Sequence, residues 1–308
     1  DWEVTDRSNL GFSYHRKGFE REFREIEDSE EDVFKLSFDT RPNDRVTVRA
    51  SWEFGDRSID QYLVEAQHFS FLDPGPVNNI PGLRKFDEAA REFDDFEASV
   101  FVFLSEDWNL NIGISGREED YDESEFGLIT DEILQYSADL SYAPSEDLSL
   151  YLFGHRAERE SFQRARQSGA TPSTDPRNDW TLDLDEATDT WGVGINGSPN
   201  NRWTWDLSGN WSRSDGEADF FTPPGGTPST TVDFDNYEDI ELTALVLRLD
   251  YAINPRAKVG LLYRYEDYTI DSFNLQGLRP YLPSTMLLVA NDGDYQADVF
   301  GIYFSLDL

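Results

Sequence analysis

The chain of 308 residues contains no cysteine and only three histidines. Because covalent haem attachment needs a pair of cysteines, the chain can hold no such haem of its own. The absence of cysteine also fits an oxidising cell envelope, in which a stray thiol is a liability. No apolar run approaches the ~20 residues that a membrane-spanning helix needs, so helical spanning is excluded.

Basic residues are scarce as well. The sequence has 26 Lys and Arg residues against 62 Asp and Glu residues, which gives a net charge of -36. Such a surface repels the phosphates of nucleic acids and attracts cations. We therefore expect no nucleic-acid partner.

The chain does contain a repeated hairpin pattern. Between Ile133 and Arg156, apolar and polar residues alternate with period two on both sides of a short turn at Ala143–Asp147. This alternation is typical of two antiparallel strands that each have one apolar face. The pattern occurs in five copies, with the other turns at 41–44, 105–107, 198–201 and 254–257. Each arm has about ten residues, the span that a strand tilted near 45° needs to cross a bilayer.

Aromatic residues make up 14% of the chain, which is high for so acidic a protein. Many of them fall near the two ends of the predicted strands, as in the aromatic girdles of outer-membrane barrels. A soluble sandwich or propeller would explain the alternation but not this banding. The residues predicted to form the girdles are Trp52, Trp108, Tyr136, Tyr142, Trp191, Trp203, Trp211 and Tyr265.

The sequence therefore predicts one all-β domain over residues 1–308, an antiparallel up-and-down transmembrane β-barrel. It has about twelve strands, or is a twelve-strand part of a larger barrel. The predicted strands lie at about 9–16, 33–40, 45–54, 93–104, 108–117, 133–142, 148–156, 187–197, 202–213, 239–253, 258–268 and 295–308, with a further short strand considered at 62–71. If the twelve strands close on themselves, the backbone radius is roughly 12 Å and the pore is narrow.

Topology follows from the connections. Five short turns are expected on the periplasmic side with both termini, and six long, acidic loops on the extracellular side. These loops should recruit Mg²⁺ or Ca²⁺ beside the anionic lipopolysaccharide, although a salt-adapted source would explain the same acidity. A start at Asp1 without an apolar leader is interpreted as a processed mature form or as a segment of a longer precursor.

Candidate functional residues are the polar side chains predicted to face the lumen. They are Asp39, Arg49, Glu53, Glu97, Asp139, His155, Asp206, Arg248, Asp250, Arg264 and Glu266. The carboxylates either favour cations in a pore or pair with the arginines on neighbouring strands, and both interpretations stay open.

No catalytic, metal-binding or cofactor-binding residue is assigned. His15, His68 and His155 are scattered, and we interpret them as ordinary lumen or loop residues. The acidic runs at 118–123 and 291–294 offer oxygen ligands for Ca²⁺, but solvated loops are the favoured interpretation. Any haem would belong to a partner protein.

Four stretches resemble a known family. They are SEFGL at 124–128, LSYAPSEDLSLY at 140–151, PGLRKFD at 81–87 and YRYE at 263–266. Together they resemble the C-terminal half of the decahaem-associated outer-membrane porin family, MtrB/PioB type. Members of that family sheath a periplasm-to-surface multihaem cytochrome. The resemblance implies a non-enzymatic barrel in the bacterial outer membrane, in contact with lipid and lipopolysaccharide, that encloses such a cytochrome for electron transfer.

Two other functions remain as alternatives. The first is a free-standing cation-selective porin, which the net charge favours. The second is a lumenal hydrolase, because some twelve-stranded barrels are phospholipases that use Ser, His and Asn, and His155 is predicted to face the lumen.

Overall fold

The computed structural model describes the chain apart from residues 1, 23, 63–79, 81, 168–172, 201, 226–236, 273–292 and 307–308. The described residues form thirteen β-strands and one short 3-10 turn at Pro176–Asn178. The strands are β1 Trp2–Thr5, β2 Ser8–Glu20, β3 Asp28–Asn43, β4 Val46–Ile59, β5 Arg91–Phe103, β6 Trp108–Asp120, β7 Gly127–Ser145, β8 Leu148–Arg166, β9 Asp179–Asn200, β10 Trp203–Phe221, β11 Glu238–Asn254, β12 Ala257–Ser272 and β13 Tyr295–Leu306. None of the described helices is long and apolar enough to cross a membrane.

All thirteen strands belong to one antiparallel sheet, in which each strand pairs with its neighbours in the sequence. This order from β1 to β13 is the predicted up-and-down arrangement, and all twelve predicted strands are present. The prediction of an up-and-down barrel wall is therefore confirmed.

β1 was not predicted. Its four residues turn back at Asp6 and Arg7 and pair with the start of β2, so that Trp2 lies opposite Leu10. A segment this short shows too little alternation to stand out in the sequence. The turn at Asp6 and Arg7 lies at the same edge of the sheet as the five predicted short turns, and β1 extends from it only to the level of Leu10. The strand considered at 62–71 lies, apart from Tyr62, outside the described residues.

The sheet is an open wall in the described part of the chain, because β1 and β13 do not pair with each other. The closed twelve-strand pore is therefore not formed. Both edge strands leave unpaired backbone groups, and such groups must find partners within a lipid bilayer.

The register gives the sheet one apolar and one polar face. Directly opposite residues share a face, and the row Leu110, Leu140, Leu152 and Val193 crosses four strands. Leu152 and Val193 are 49% and 58% exposed in the isolated protein. We call this side the apolar face and the side that carries Asn111 and Asp139 the polar face. Exposed apolar rows of this kind are what a lipid-facing wall requires.

Glycine–aromatic pairs help to fix the strand register. Tyr151 of β8 lies opposite Gly194 of β9, and its ring covers that glycine. A Cβ at Gly194 would come within 2.1 Å of Cζ of Tyr151. Phe153 covers Gly192 in the same way. A one-residue slip would drive these rings into side chains, so the pairs hold β8 and β9 in register.

Several strands are much longer than predicted. β8 continues ten residues past Arg156, and β9 begins eight residues before the predicted start at residue 187. In these extensions the apolar face turns charged, although the period of two continues. Six carboxylates lie directly opposite one another on six neighbouring strands, and we call them the acidic row: Asp94, Glu118, Glu132, Glu160, Asp185 and Glu217.

Candidate functional site

The eleven polar residues predicted to face the lumen all lie on the polar face of the sheet. The register joins them through rows such as Asp39, Arg49 and Ser99, or Ser137 and His155. The eight predicted girdle aromatics all lie on the apolar face, where Trp108 stacks on Tyr142 with ring centroids 4.3 Å apart. The division of side chains between the two faces therefore follows the sequence pattern.

Some of the polar-face charges are paired. Nε of Arg49 lies 3.1 Å from Oδ1 of Asp39 on the neighbouring strand. Lys35 and Glu53 also pair between strands, whereas Arg264 pairs along its own strand with Glu266. Most of these groups are well exposed, and such pairs stabilise a protein by only about 0–1 kcal/mol.

Arg248 departs from the expected pairing. It lies directly opposite Asp206, but no ion pair joins it to Asp206 or Asp250 among the described residues. Asp250 instead accepts a hydrogen bond of 2.5 Å from the Tyr303 hydroxyl. Asp139 accepts one of 3.2 Å from the Asn111 amide. Some charged side chains of the polar face are thus neutralised by ion pairs, whereas Arg248 forms none among the described residues.

His155 lies on the polar face between Ser137 and Thr190 of the adjacent strands. His155 and Ser137 line a cavity of about 280 Å³ that also includes Glu97. A hydrolase needs its base hydrogen-bonded to a nucleophile, and in the described structure no hydrogen bond joins His155 to Ser137. His15 lies apart in β2, and His68 falls outside the described residues.

The described residues contain no group of three or more His, Asp or Glu side chains that could hold a metal ion. The acidic run at 118–123 is not the loop that was predicted, because Glu118, Glu119 and Asp120 belong to β6. Successive side chains of a strand point to opposite faces, so Glu119 points away from Glu118 and Asp120, and the three carboxylates cannot converge on one ion. The run at 291–294 lies mostly outside the described residues.

Arg57 was not singled out from the sequence. It continues the polar face of β4 beyond Glu53, and there it holds an inward-folded loop. Its Nε donates to the Ala89 carbonyl at 2.7 Å, Nη2 to the Phe86 carbonyl at 2.6 Å, and Nη1 to the Asp87 carbonyl at 3.3 Å. Burial lowers the pKa of Arg57 from its usual value, and the nearby Arg91 adds to this effect. Residues 86–89 therefore cover the polar face at the long-loop end.

Ion pairs join a second loop, at residues 24–27, to the loop at residues 85–89. Arg24 pairs with both Asp87 and Glu88, and Nζ of Lys85 lies 2.5 Å from Oε1 of Glu25. The Glu25 and Glu88 side chains are almost completely buried. Loss of Arg24 or Lys85 would leave a buried carboxylate without its partner, which destabilises the folded loops. We call residues 24–27 and 85–89 the inward loop pair, and these contacts hold it in one position.

A charge network lies beside the inward loop pair. Arg91 bridges Glu31 at 2.8 Å and Glu119 at 2.9 Å. The buried Tyr121 hydroxyl donates to Glu119 at 2.6 Å. Burial and the Glu119 carboxylate raise the pKa of Tyr121 to about 12. Arg117 also belongs to this network, and its Cζ lies 4.0 Å from the centre of the Phe93 ring. Ion pairs, a hydrogen bond and a cation–π contact therefore connect β3, β5 and β6 at the long-loop end of the polar face.

The chain matches a family of membrane porins. The model of the family described as outer membrane beta-barrel porin, MtrB/PioB, matches residues 1–308. Outer membrane protein MtrB of Shewanella baltica (strain OS185) is 24% identical over 195 residues, which are 63% of this chain and 26% of that protein. The matched segment thus spans about a quarter of the relative's length.

Solved outer-membrane proteins share the fold. The copper transporter OprC superposes with a TM-score of 0.61 at 9% identity, over 96% of this chain and 41% of OprC. The ferric preacinetobactin receptor BauA of Acinetobacter baumannii gives a TM-score of 0.57 at 11% identity, over 96% of this chain and 44% of BauA. The wall therefore matches less than half of each longer chain.

Proposed function

Because the chain belongs to the MtrB/PioB family of outer-membrane β-barrel porins, we propose that it forms barrel wall around a multihaem cytochrome and so serves electron transfer across the outer membrane. The observation that carries this proposal is the open wall of thirteen strands. Barrel diameter grows with strand number, and a closed ring of twelve strands would leave only a narrow pore. A wall that continues beyond thirteen strands suits a lumen wide enough for a folded protein.

The chain's own part in this function is insulation and positioning. It has no cysteine for covalent haem attachment, so the redox groups would come from the partner. The apolar face separates the electron path from lipid. The polar face, with groups such as Asn111, Asp139 and Ser137, offers hydrogen bonds to a hydrated protein surface.

Because the chain contains no cysteine, an introduced cysteine is its only thiol, and a crosslinker can be attached at one chosen position. We expect a crosslinker attached to Asn111→Cys, on the polar face, to capture a haem-staining protein in native outer membranes. The matched control is Ile112→Cys, one residue away on the apolar face. Capture from position 111 alone supports the proposal. Capture from neither position, with no haem protein co-purifying with the barrel, contradicts it.

A cation-selective channel is the second candidate function. It is favoured by the net charge of -36 and by Glu97, which lines a cavity on the polar face. Carboxylates along a pore attract cations. If this function is correct, the isolated, colourless barrel will conduct cations in planar bilayers, and Glu97→Gln will reduce the preference for cations. Absence of conductance would exclude the channel.

A further inference from the structure

We propose that the apolar face carries a binding site for one acyl chain of a membrane lipid, an inference that does not rest on the proposed function. A cavity of about 610 Å³ opens on this face across strands β5 to β9. We call it the acyl groove, because it lies among the apolar rows that face lipid in an outer-membrane barrel. The residues that shape it are Ile112, Ala138, Leu140, Leu152, Gly154 and Trp191.

The groove exists because two small residues lie in the middle of a row of large ones. Ala138 of β7 lies directly opposite Gly154 of β8, and the row continues to Ile112 on one side and to Trp191 on the other. Ile112 and Trp191 are 50% and 56% exposed, so they form two walls beside this floor. The backbones of β6 and β9 lie three strand spacings apart, roughly 14 Å. The gap between the two walls is narrower than this, because both side chains occupy part of it.

The Trp191 wall rests on the backbone of the neighbouring strand. A Cβ at Gly154 would come within 2.9 Å of Cζ3 and 3.0 Å of Cε3 of Trp191. The indole ring therefore lies over Gly154 and extends toward Ala138, in the space that a larger side chain would fill. More than half of the ring nevertheless stays exposed and can contact an acyl chain. A wall that is already in place loses little conformational entropy when a ligand binds.

Charged side chains mark the end of the groove on the long-loop side. Arg156 and Asp189 line the groove one row beyond Gly154 and Trp191, and Nη1 of Arg156 lies 2.9 Å from Oδ2 of Asp189. Glu158 pairs with the same arginine at 2.8 Å. Because one positive charge meets two negative ones, this cluster does not select an anionic head group. It marks where the apolar surface ends, so the groove recognises the chain of a lipid whose head group lies on the long-loop side.

The bilayer around an outer-membrane porin supplies the occupant. Within lipid, apolar surfaces gain little by leaving water, so the fit between surfaces decides which of them associate. An unfilled groove would deprive its floor and walls of dispersion contacts. A flexible, unbranched acyl chain can enter from the bilayer and restore these contacts. The groove therefore holds one acyl chain more firmly than the rest of the apolar face does.

The test uses the protein extracted together with lipid from the outer membranes of its own cells. Ala138→Leu fills the floor of the groove, and Ile112→Ala removes one wall. Ala50→Leu is the matched control, because it makes the same change on the apolar face at a residue that does not line the groove. Heat-modifiable migration on gels verifies that each barrel is folded. The readout is the number of lipids bound per barrel during stepwise washing with detergent, counted by native mass spectrometry.

We expect the unaltered protein and Ala50→Leu to keep one lipid after the others have been washed away. Ala138→Leu and Ile112→Ala should each weaken its retention by about tenfold, as when a close fit is overpacked or loses a contact. Weaker retention in either groove variant than in the control supports the site. If the unaltered protein keeps no lipid, or if both groove variants behave like the control, the acyl groove is not a binding site. Neither result bears on the proposed function, which concerns the opposite face of the wall.

Discussion

At the scale of single residues, the inward loop pair depends on Arg57. This side chain is only 7% exposed and satisfies three backbone carbonyls of a loop that is distant in sequence. Hydrogen bonds from a charged group contribute about 1.5–3 kcal/mol each when they are buried. No local pattern in the sequence could have shown this contact, because it joins two segments about thirty residues apart.

Arg57→Ala should release residues 86–89 without unfolding the wall. We expect the amides of Glu88 and Ala89, which donate to the Lys85 carbonyl at 2.9 and 2.8 Å, to exchange hydrogen at least about tenfold faster. Hydrogen exchange followed by mass spectrometry measures this. Arg213→Ala removes an exposed ion pair with Asp215 and serves as the control. Unchanged protection in Arg57→Ala would show that other contacts hold the loop.

The acidic row gives a second prediction at this scale. Burial and the flanking Glu118 and Glu160 carboxylates raise the pKa of Glu132 above its usual 4.5. The folded protein therefore binds this proton more tightly than the unfolded chain does. The stabilising effect is fully present below the usual pKa and is lost as the pH rises through the raised value.

Glu132→Gln should consequently raise the unfolding temperature at pH 7 and have little effect at pH 4. Thermal unfolding in detergent at both pH values measures this difference. Salt should reduce the benefit at pH 7 because it screens the repulsion between the carboxylates. An equal shift at both pH values would mean that the effect does not come from charge.

At the scale of strands, the register of β8 and β9 depends on their glycine–aromatic pairs. Gly194→Ala would force the Tyr151 ring aside, since a Cβ there meets it at 2.1 Å. We expect a destabilisation of about 1–3 kcal/mol, typical of overpacking, and recovery in the double variant with Tyr151→Ala. Gly209→Ala is the control, because its Cβ makes an ordinary contact of 3.6 Å with Leu245. Heat-modifiable migration reports each effect, and a neutral Gly194→Ala would refute the argument.

The sequence predicted the strands well where apolar and polar residues alternate, as in Trp108–Ser115 of β6. It failed in the strand extensions. There the period of two continues, but charged residues such as Glu132 and Glu160 occupy the apolar face, and a charged stretch resembles a solvated loop. The alternation predicted on which face of the sheet each candidate residue lies, but it did not predict which residues each one contacts. Pairs such as Arg49 with Asp39 follow from register, whereas the inward loop pair requires the folded loops.

At the scale of the whole molecule, the long loops should lie outside the cell and the short turns in the periplasm. Single cysteines at Glu123, in the connection between β6 and β7, and at Glu146, in the turn between β7 and β8, test this because the chain has no other thiol. We expect a membrane-impermeant maleimide to label Glu123→Cys on intact cells and Glu146→Cys only after lysis. The opposite result would invert the topology.

The order of the sheet has a consequence for how such proteins change in evolution. Because order in space equals order in the chain, each hairpin contacts only the strands that precede and follow it. Leu152 of β8 and Leu245 of β11 lie in one row, separated by Val193 and Gly209. Loss of β9 and β10 as a unit would bring these leucines opposite each other with both faces preserved. Barrels of this kind can therefore gain or lose circumference one hairpin at a time, without redesign of the strands that remain.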